Sequence, residues 1–588
     1  MVWARTMRWL ENRRRLAWWL SGFVLVLAAG DAWASRHAIN PDGISYLDLG
    51  DTVFAHGVRA GASVAWSPAY TWIVGAALKV FSPTRPHELI VVMAVNVAIV
   101  AVLLGAFAWW LSELFGLLRE RGLRPLIPEP LLVALSYAIL AWVVLPEVTV
   151  TAVTPDMLLA VAVFAASALL MRMARVGGSP LACVGLGVVL GLGYLAKSGF
   201  VFPALVALAA ATVLSGGSAT RRLVSLGVTF AACLCVAAPF IAVLSSKEGG
   251  LEIGSYGTLN YAWDVDGVTP FTNWTGGNGE FGRPLHPTLI ATSPETFAYP
   301  APIAGSIPLW YDPAYWYQGV RAKFVVGGQL RAIAHSVRDT LHFALVGPLI
   351  LLLAPVLMLW RVRRRDRGAR PAEGPDAPQP VPRRAWVAVR RHAYLALPVA
   401  GILTYLPLIT QARYIAPYIA ILAITWFMLV CGWHRREGLS NSMVDGLALV
   451  TALVAVLTFA YAAVKPLDHV ALQVSGRDAP GTTDLRVARA LTRAGIGPGD
   501  GIAFVGDAAG VPRAYYARLD HARVVGNIKD ADGAFWRLPP GNQARRLALL
   551  QARSGARVAV SDEAAARSAP GWTPVAGTGD SYRVLSSG

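Results

Sequence analysis

Four charged side chains in this sequence stand beside long apolar runs, and their types fit acid–base and anion-binding chemistry. Asp42 lies in Asn40-Pro41-Asp42-Gly43-Ile44-Ser45-Tyr46-Leu47-Asp48, a few residues past the first such run. Asp156, in Thr154-Pro155-Asp156-Met157-Leu158, heads another, with Glu147 in the short segment before it. Lys197 closes a run in Gly193-Tyr194-Leu195-Ala196-Lys197, and Arg413 opens one in Gln411-Ala412-Arg413-Tyr414-Ile415-Ala416-Pro417. A carboxylate can take the proton from an attacking hydroxyl. Fixed cations can stabilise charge building on a departing phosphate. Two of each in one cavity would suit a hydroxyl attacking a sugar whose leaving group is a lipid phosphate, the lipid tail staying in the bilayer. Asp48, Tyr46, Glu147 and Tyr414 are supporting candidates. Singly, each of the four has a plainer reading. Asp42 before a helical run is a good N-cap, and Asp156 beside Pro155 is a good helix start. Lys197 and Arg413 can snorkel towards head groups. Only the set, gathered at one membrane face, points to a site.

The elements that would hold these residues are membrane spans. The chain has 588 residues, of which 55% are hydrophobic and 15% charged, with a mean hydropathy of +0.49, so several stretches must face lipid. Its net charge of +17 does not indicate nucleic acid, because most Arg clusters flank apolar runs as orientation signals do. Cys183, Cys233, Cys235 and Cys431 all lie in apolar runs without metal-binding spacing, and they leave the redox compartment open.

A crossing needs about 20 mainly apolar residues. Runs at 16–35, 87–117, 129–146, 154–173, 179–196, 199–215, 223–245, 340–360, 393–411, 413–433 and 443–463 predict about eleven crossings. Arg5, Arg8, Arg13, Arg14 and Arg15 put the amino terminus inside; Ala32-Trp33-Ala34 imitates a signal-peptidase site, and cleavage there is the rival reading. With 66–81 as an interfacial or re-entrant helix, Arg119, Arg121 and Arg124 fall inside, as do Arg172 with Arg175, Arg221 with Arg222, and His434-Arg435-Arg436. The linker 361–391, with ten Arg against three acids and a Pro-rich centre expected to be disordered, falls inside too.

This register divides the chain into a transmembrane domain, 1–463, with outer loops 36–86 and 246–339, and an outer carboxy-terminal domain, 464–588. The latter reads as helix 484–494, strand 502–506, strand 522–528, helix 541–553 and strand 557–561, an α/β domain with a largely parallel sheet. Gly506 and Gly510 form at most a weak phosphate-turn signal. The loop 246–339 is dense in aromatics, Tyr256, Tyr261, Trp263, Trp274, Trp310, Tyr311, Tyr315, Trp316 and Tyr317. An interfacial belt and loop packing explain most of them, and the remainder could stack on sugar rings or an acceptor. Asp264, Asp266, His286 and Asp312 make no convincing metal set, and Asn273-Trp274-Thr275 is formally a glycosylation sequon. Residues 318–338, with Arg321, Lys323, Arg331 and Arg338, predict an amphipathic helix on the membrane.

The order of these features resembles the GT-C superfamily of multispan glycosyltransferases that use polyprenyl-phosphate-linked sugars. Within it, the chain is similar to the protein O-mannosyltransferase and lipid A aminoarabinose transferase group (glycosyltransferase family 39-like). The similarity rests on Asp42 in the first outer loop, on Pro155-Asp156 heading the fourth span, and on Gly-Leu-Gly-Tyr-Leu-Ala-Lys ending at Lys197 together with Arg413-Tyr414-x-x-Pro417. It covers roughly 10–215 well and 393–435 loosely. It implies Asp42 as catalytic base, Asp156 as a second active-site acid, and Lys197 and Arg413 as contacts to the donor phosphate. Relatives often carry an acid or His just before the Arg-Tyr pair, where this chain has Gln411 and Ala412. The resemblance implies a multi-pass protein of the bacterial inner membrane with a periplasmic carboxy-terminal domain. Its expected partners are a polyprenyl-phosphate-linked sugar donor, a glycan, lipid or protein acceptor, and membrane lipids, with no nucleic acid. A divalent metal is compatible with the group but not required by the sequence.

Two other functions fit a chain of this kind. A transporter or flippase for lipid-linked sugars would be expected to show internal repeats and mid-span ionisable groups. Neither is visible here. A non-catalytic structural component with a GT-C-like fold remains open.

Overall fold

The computed structural model describes residues 13–254, 256–268, 273–299, 305–346, 348–354, 356–357, 389–432, 441–476, 481–507, 514–530 and 532–585. The linker expected at 361–391 lies outside the described residues except for 389–391, as do Arg5, Arg8, His434, Arg435, Arg436 and Gly510.

Apolar runs between Pro and Gly punctuation become helices. In chain order these are α1 (Arg13–Ala34), α2 (Pro41–His56), α3 (Pro68–Phe81), α4 (Glu88–Glu120), α5 (Glu129–Trp142), α6 (Asp156–Val176), α7 (Pro180–Ala196), α8 (Val201–Leu214) and α9 (Ala219–Glu248). After α10 (Tyr256–Asp264) and α11 (Val326–Val346) come α12 (Ala396–Tyr405), α13 (Ala412–Phe427) and α14 (Asn441–Val474). Proline sits in the first turn of α2, α3 and α7, where its missing N–H costs nothing, and the hydroxyls of Ser179 and Ser218 cap α7 and α9.

Among the described residues seven helices are long and apolar enough to cross a membrane: Arg13–Ala34, Arg85–Glu120, Glu129–Glu147, Asp156–Val176, Ala219–Glu248, Ala412–Val430 and Asn441–Val474. Two shorter apolar helices, Pro180–Ala196 and Ser198–Leu214, coincide with the apolar runs at 179–196 and 199–215. Helix α3, at 14 residues, is too short to span, in keeping with an interfacial role. The helix expected at 318–338 instead begins at Val326. Gly319 adopts φ +99°, Val320 bridges Gly282, and the Arg321 amide donates to Phe281, so 319–321 is held in a loop pairing that blocks an earlier start. The run at 340–360 is correspondingly broken: α11 ends at Val346 and a 3-10 turn follows at Pro348–Leu352.

Helix α4 lies against α6, α14 against α5 and α1, and α7 against α9. The last pair meets through small residues: a β-carbon at Gly187 would overlap the Thr229 carbonyl, and one at Gly191 would stand 2.7 Å from Val236 Cβ. Phe107 meets Tyr137 and Phe164 edge-on, and Trp110 meets Phe164 edge-on, between α4, α5 and α6. At the far end of α6, roughly 30 Å from Asp156 at 1.5 Å per residue, Arg175 pairs with Glu113 (2.5 Å) and Glu120 (2.7 Å). Arg172 joins them on Glu113 at 3.4 Å, so this arginine cluster and Asp156 occupy opposite ends of the bundle.

The carboxy-terminal domain contains α15 (Thr482–Arg493), β3 (Gly501–Gly506), α16 (Tyr515–Leu519), β4 (Arg523–Lys529), α17 (Pro540–Ser554), β5 (Ala556–Ser561), β6 (Thr573–Pro574) and β7 (Ser581–Val584). Its sheet also recruits β1 (Leu289–Thr292) and β2 (Glu295–Ala298) from the large loop, giving the order β1-β2-β4-β3-β5-β7-β6. Only β4-β3-β5 is parallel; the flanking pairs are antiparallel, so the sheet is mixed rather than largely parallel. Helical crossovers allow parallel pairing in the centre, whereas the short β1–β2 and β6–β7 connections impose reversal. β3 is buried along its whole length, and α17 covers the sheet through Leu547 and Leu550.

Candidate active site

Asp42 is placed by close packing at the start of α2. The Asn40 side-chain carbonyl accepts from the Val153 amide (2.8 Å), joining the segment before α2 to the segment before α6. Gly43 makes this approach possible, since a β-carbon there would sit 2.7 Å from Ile39 Cγ1 and 2.7 Å from Val153 Cβ. Asp42 and Asp156 therefore open two helices that start side by side.

The two expected cations reach the same place. Lys197 caps α7 in an extended conformation, and its Nζ donates to Asp156 Oδ1 at 2.6 Å. Arg413, in the first turn of α13, lies 3.4 Å from Asp42 Oδ2 and 3.6 Å from Asp156 Oδ2. Gln411 orients Arg413 by accepting from Nε at 2.9 Å, a role for the residue standing where relatives often have an acid or His. The Tyr414 ring lies 3.5 Å from Lys197 Nζ, and its hydroxyl accepts from Arg413 Nη2 (3.2 Å). Tyr405 stacks on Tyr414, centroids 5.0 Å apart.

The two acids differ in exposure. The Asp156 side chain is 2% exposed, with one oxygen on Lys197 and the other facing Arg413. Asp42 is 22% exposed; one oxygen accepts from the Trp310 indole N–H at 3.2 Å and the other faces Arg413. Only Asp42 combines an open face with a loosely held oxygen, a geometry that would leave room for a proton to arrive there. Asp156 is enclosed between Lys197 and Arg413.

The supporting candidates separate. Tyr414 belongs to the cluster. Tyr46 is buried edge-on against Trp66 and Tyr70, and Glu147 ends the turn that continues α5, in none of the cluster's ion pairs among the described residues. Asp48 points elsewhere, to Arg518 at 2.5 Å and to the amide and hydroxyl of Ser306. Of the loop acids, Asp266 accepts from the Lys323 amide, Asp312 caps the turn at Pro313–Trp316, and burial pushes Asp264 up to about 6. His286 stacks on Tyr315 at 3.7 Å. Among the described residues no three His, Cys, Asp or Glu side chains gather in a way that could hold a metal ion.

The aromatics form one packed set beside the cluster. Trp310 stacks on Trp263 and meets Trp66 edge-on, Trp263 meets Tyr256 and Tyr317, and Tyr317 stacks on Trp274. Most are thus core, but Trp310 also hydrogen-bonds Asp42. Sequence reasoning missed Arg518 and its partner Glu88, as well as Asp31, which is fully buried in α1 and meets His469 at 2.7 Å. A charged residue inside an apolar run is a usable signal for Asp31; Arg518 has none, being one Arg among many in a polar domain.

No protein-family model and no curated protein matches the chain. Among solved structures it overlaps the crystal structure of ArnT from Cupriavidus metallidurans bound to undecaprenyl phosphate, with a TM-score of 0.50 and 14% identity, over 96% of this chain and 98% of that one. The apo form of the same protein gives a TM-score of 0.51 at 14% identity, over 96% of both chains. The Archaeoglobus fulgidus oligosaccharyltransferase in its apo form gives 0.45 at 12% identity, over 92% of this chain and 69% of that one. The likeness to ArnT shows that this chain has the GT-C fold, with an α-helical polytopic body and a carboxy-terminal α/β domain.

Proposed function

We propose that this chain is a membrane glycosyltransferase that moves a sugar from a polyprenyl-phosphate donor to an envelope acceptor on the outer, periplasmic face of the bacterial inner membrane. In the proposed step, an acceptor hydroxyl oxygen bonds to the anomeric carbon while the bond from that carbon to the phosphate oxygen breaks. The hydroxyl proton passes to Asp42, and the polyprenyl phosphate leaves with the bonding electrons. Lys197 and Arg413 hold the phosphate, Asp156 keeps both cations in place, and Tyr414 supports them with its ring face. The observation that carries this reading is the convergence of Asp42, Asp156, Lys197 and Arg413, from four distant stretches, with only one of the two acids open. Undecaprenyl phosphate, bound by the structural neighbour ArnT, has the leaving-group chemistry this cluster would suit.

The test uses the full chain in lipid nanodiscs with radiolabelled polyprenyl-phosphate sugars and an envelope extract. Label should move to the extract while free polyprenyl phosphate appears in equal amount. Passage of intact donor across liposomes without cleavage would replace this reading with a flippase, and neither event would end it.

A further inference from the structure

A second buried charge set lies on the same helix as Asp42. Arg518, on α16, is 1% exposed and contacts three carboxylates: Asp48 at 2.5 Å, Asp51 at 3.0 Å and Glu88 at 2.8 Å. Arg85 closes the set by pairing with Asp51 and Glu88, and the Tyr515 hydroxyl donates to Glu88 at 2.8 Å. Burial alone would lower the Arg518 pKa, but Glu88, Asp48 and Asp51 raise it well above its ordinary value. The carboxy-terminal domain thus drives one permanent cation between α2 and the start of α4.

This cation also fixes a strap of the large loop, 305–311. Ser306 is gripped from both sides: its amide and hydroxyl donate to Asp48, and its carbonyl accepts from the Val524 amide of β4. Further along, the Trp310 carbonyl accepts from the Ser45 hydroxyl (2.8 Å), and the Tyr311 carbonyl accepts from the Trp66 indole (3.1 Å). The Tyr311 and Thr52 hydroxyls meet at 3.0 Å. Between these ties the Trp310 indole reaches Asp42. Strand β2, which ends at Ala298, pairs with β4, so the same strand of the carboxy-terminal domain holds the loop both there and at Ser306.

Buried ion pairs are poor evidence for stability, because apolar residues of similar volume often serve as well; their better-attested use is to impose one register. Here the register is that of α2, the strap and the carboxy-terminal domain. We infer that the carboxy-terminal domain is a positioning element for the catalytic carboxylate: Arg518, through Asp48 and the strap 305–311, sets where Trp310 holds Asp42. This rests on the reading of Asp42 as the base. Arg518 touches no reacting atom; it acts through its pairs on α2 and through the strap that Asp48 holds.

Initial rates of the full chain, measured against donor concentration, test the chain of contacts. Asp48→Asn, Arg518→Lys and Trp310→Phe should each lower kcat by about tenfold or more and leave the donor KM within about twofold, as misplacement of a reacting group does. Because they break one chain, Asp48→Asn with Trp310→Phe should be no worse than the poorer single variant within about twofold. Hydrogen exchange supplies a readout independent of activity: Asp48→Asn should speed exchange at 305–311 while β3, β4 and β5 stay protected. Factors that multiply, an unchanged kcat in Asp48→Asn, or unchanged exchange in the strap would each overturn the inference. Should Arg518→Lys fail to fold, Asp48→Asn decides alone, since it keeps the side-chain shape while losing the charge that Arg518 engages and one of the two oxygens that hold Ser306. Full transfer by Asp42→Asn would remove the base reading and the kinetic arm with it. Loss of transfer in Asp42→Asn alongside multiplying factors would remove this inference only.

Discussion

Replacing Asp42 by Asn removes a proton acceptor while leaving its hydrogen-bond geometry nearly intact. The amide oxygen still accepts from Trp310, and what is lost is a contact to Arg413 at 3.4 Å between side chains 26% and 22% exposed. An ion pair that long and that open contributes roughly 0.2–1 kcal/mol, so the unfolding temperature should fall by no more than a few degrees. Loss of the base should cost about 10²- to 10⁴-fold in kcat. Asp156→Asn should cost stability as well as transfer. Its carboxylate is 2% exposed and lies 2.6 Å from Lys197 Nζ, and removing one member of a buried pair costs about 3–5 kcal/mol. Lys197 is itself 21% exposed, so the lower end of that range applies. Transfer rates at saturating donor, paired with thermal unfolding in the same nanodiscs, read both quantities. If Asp42→Asn keeps its kcat, the proton has another destination. Should Asp42→Asn melt like Asp156→Asn, the distinction between an open acid and a structural one is wrong.

Arg413→Gln should raise the donor KM about 10- to 100-fold, the worth of one charge-assisted hydrogen bond to phosphate, with a smaller change in acceptor KM; equal changes in both would place Arg413 elsewhere. In the carboxy-terminal domain burial pushes Asp484 up to about 7 and Asp580 up to about 6, from ordinary values of 3.8. Raised folded values favour the neutral acids, so this stability is complete below the unfolded value near 4 and is lost as pH rises towards 7. Thermal unfolding should therefore weaken between pH 4 and pH 7, by an amount on the order of 2–4 kcal/mol for Asp484, and Asp484→Asn should flatten the slope. An unaltered slope would deny Asp484 that role. A reporter fused after Gly588 should be active only on the periplasmic side; cytoplasmic activity would invert the assigned faces.

Much of the site was legible because charge is costly against lipid. Asp42, Asp156, Lys197 and Arg413 were visible as charges at the ends of apolar runs, and the lengths of those runs located the helices that bring them together. What local pattern could not show was which acid is open. Asp42 and Asp156 look alike in sequence, each beside a proline at a helix start, and their difference arises from Lys197 and Arg413 arriving from residues far along the chain. Asp48 shows the converse: six residues from Asp42, it reads as a companion, yet it faces Arg518.

From the sequence alone come the membrane class, the helical body, the strand–helix alternation of the carboxy-terminal domain and the residue types of the site. These follow from hydrophobic periodicity, span length and the placement of charge, all properties of neighbouring residues. Tertiary structure alone decided that the loop strands β1 and β2 complete the carboxy-terminal sheet, that Arg413 reaches both Asp42 and Asp156, and that Arg518 ties that domain to the helix bearing Asp42. Each depends on a contact between distant stretches, often hundreds of residues apart. Such contacts form only where packing excludes water and every buried polar group must find a partner, a requirement no local pattern records.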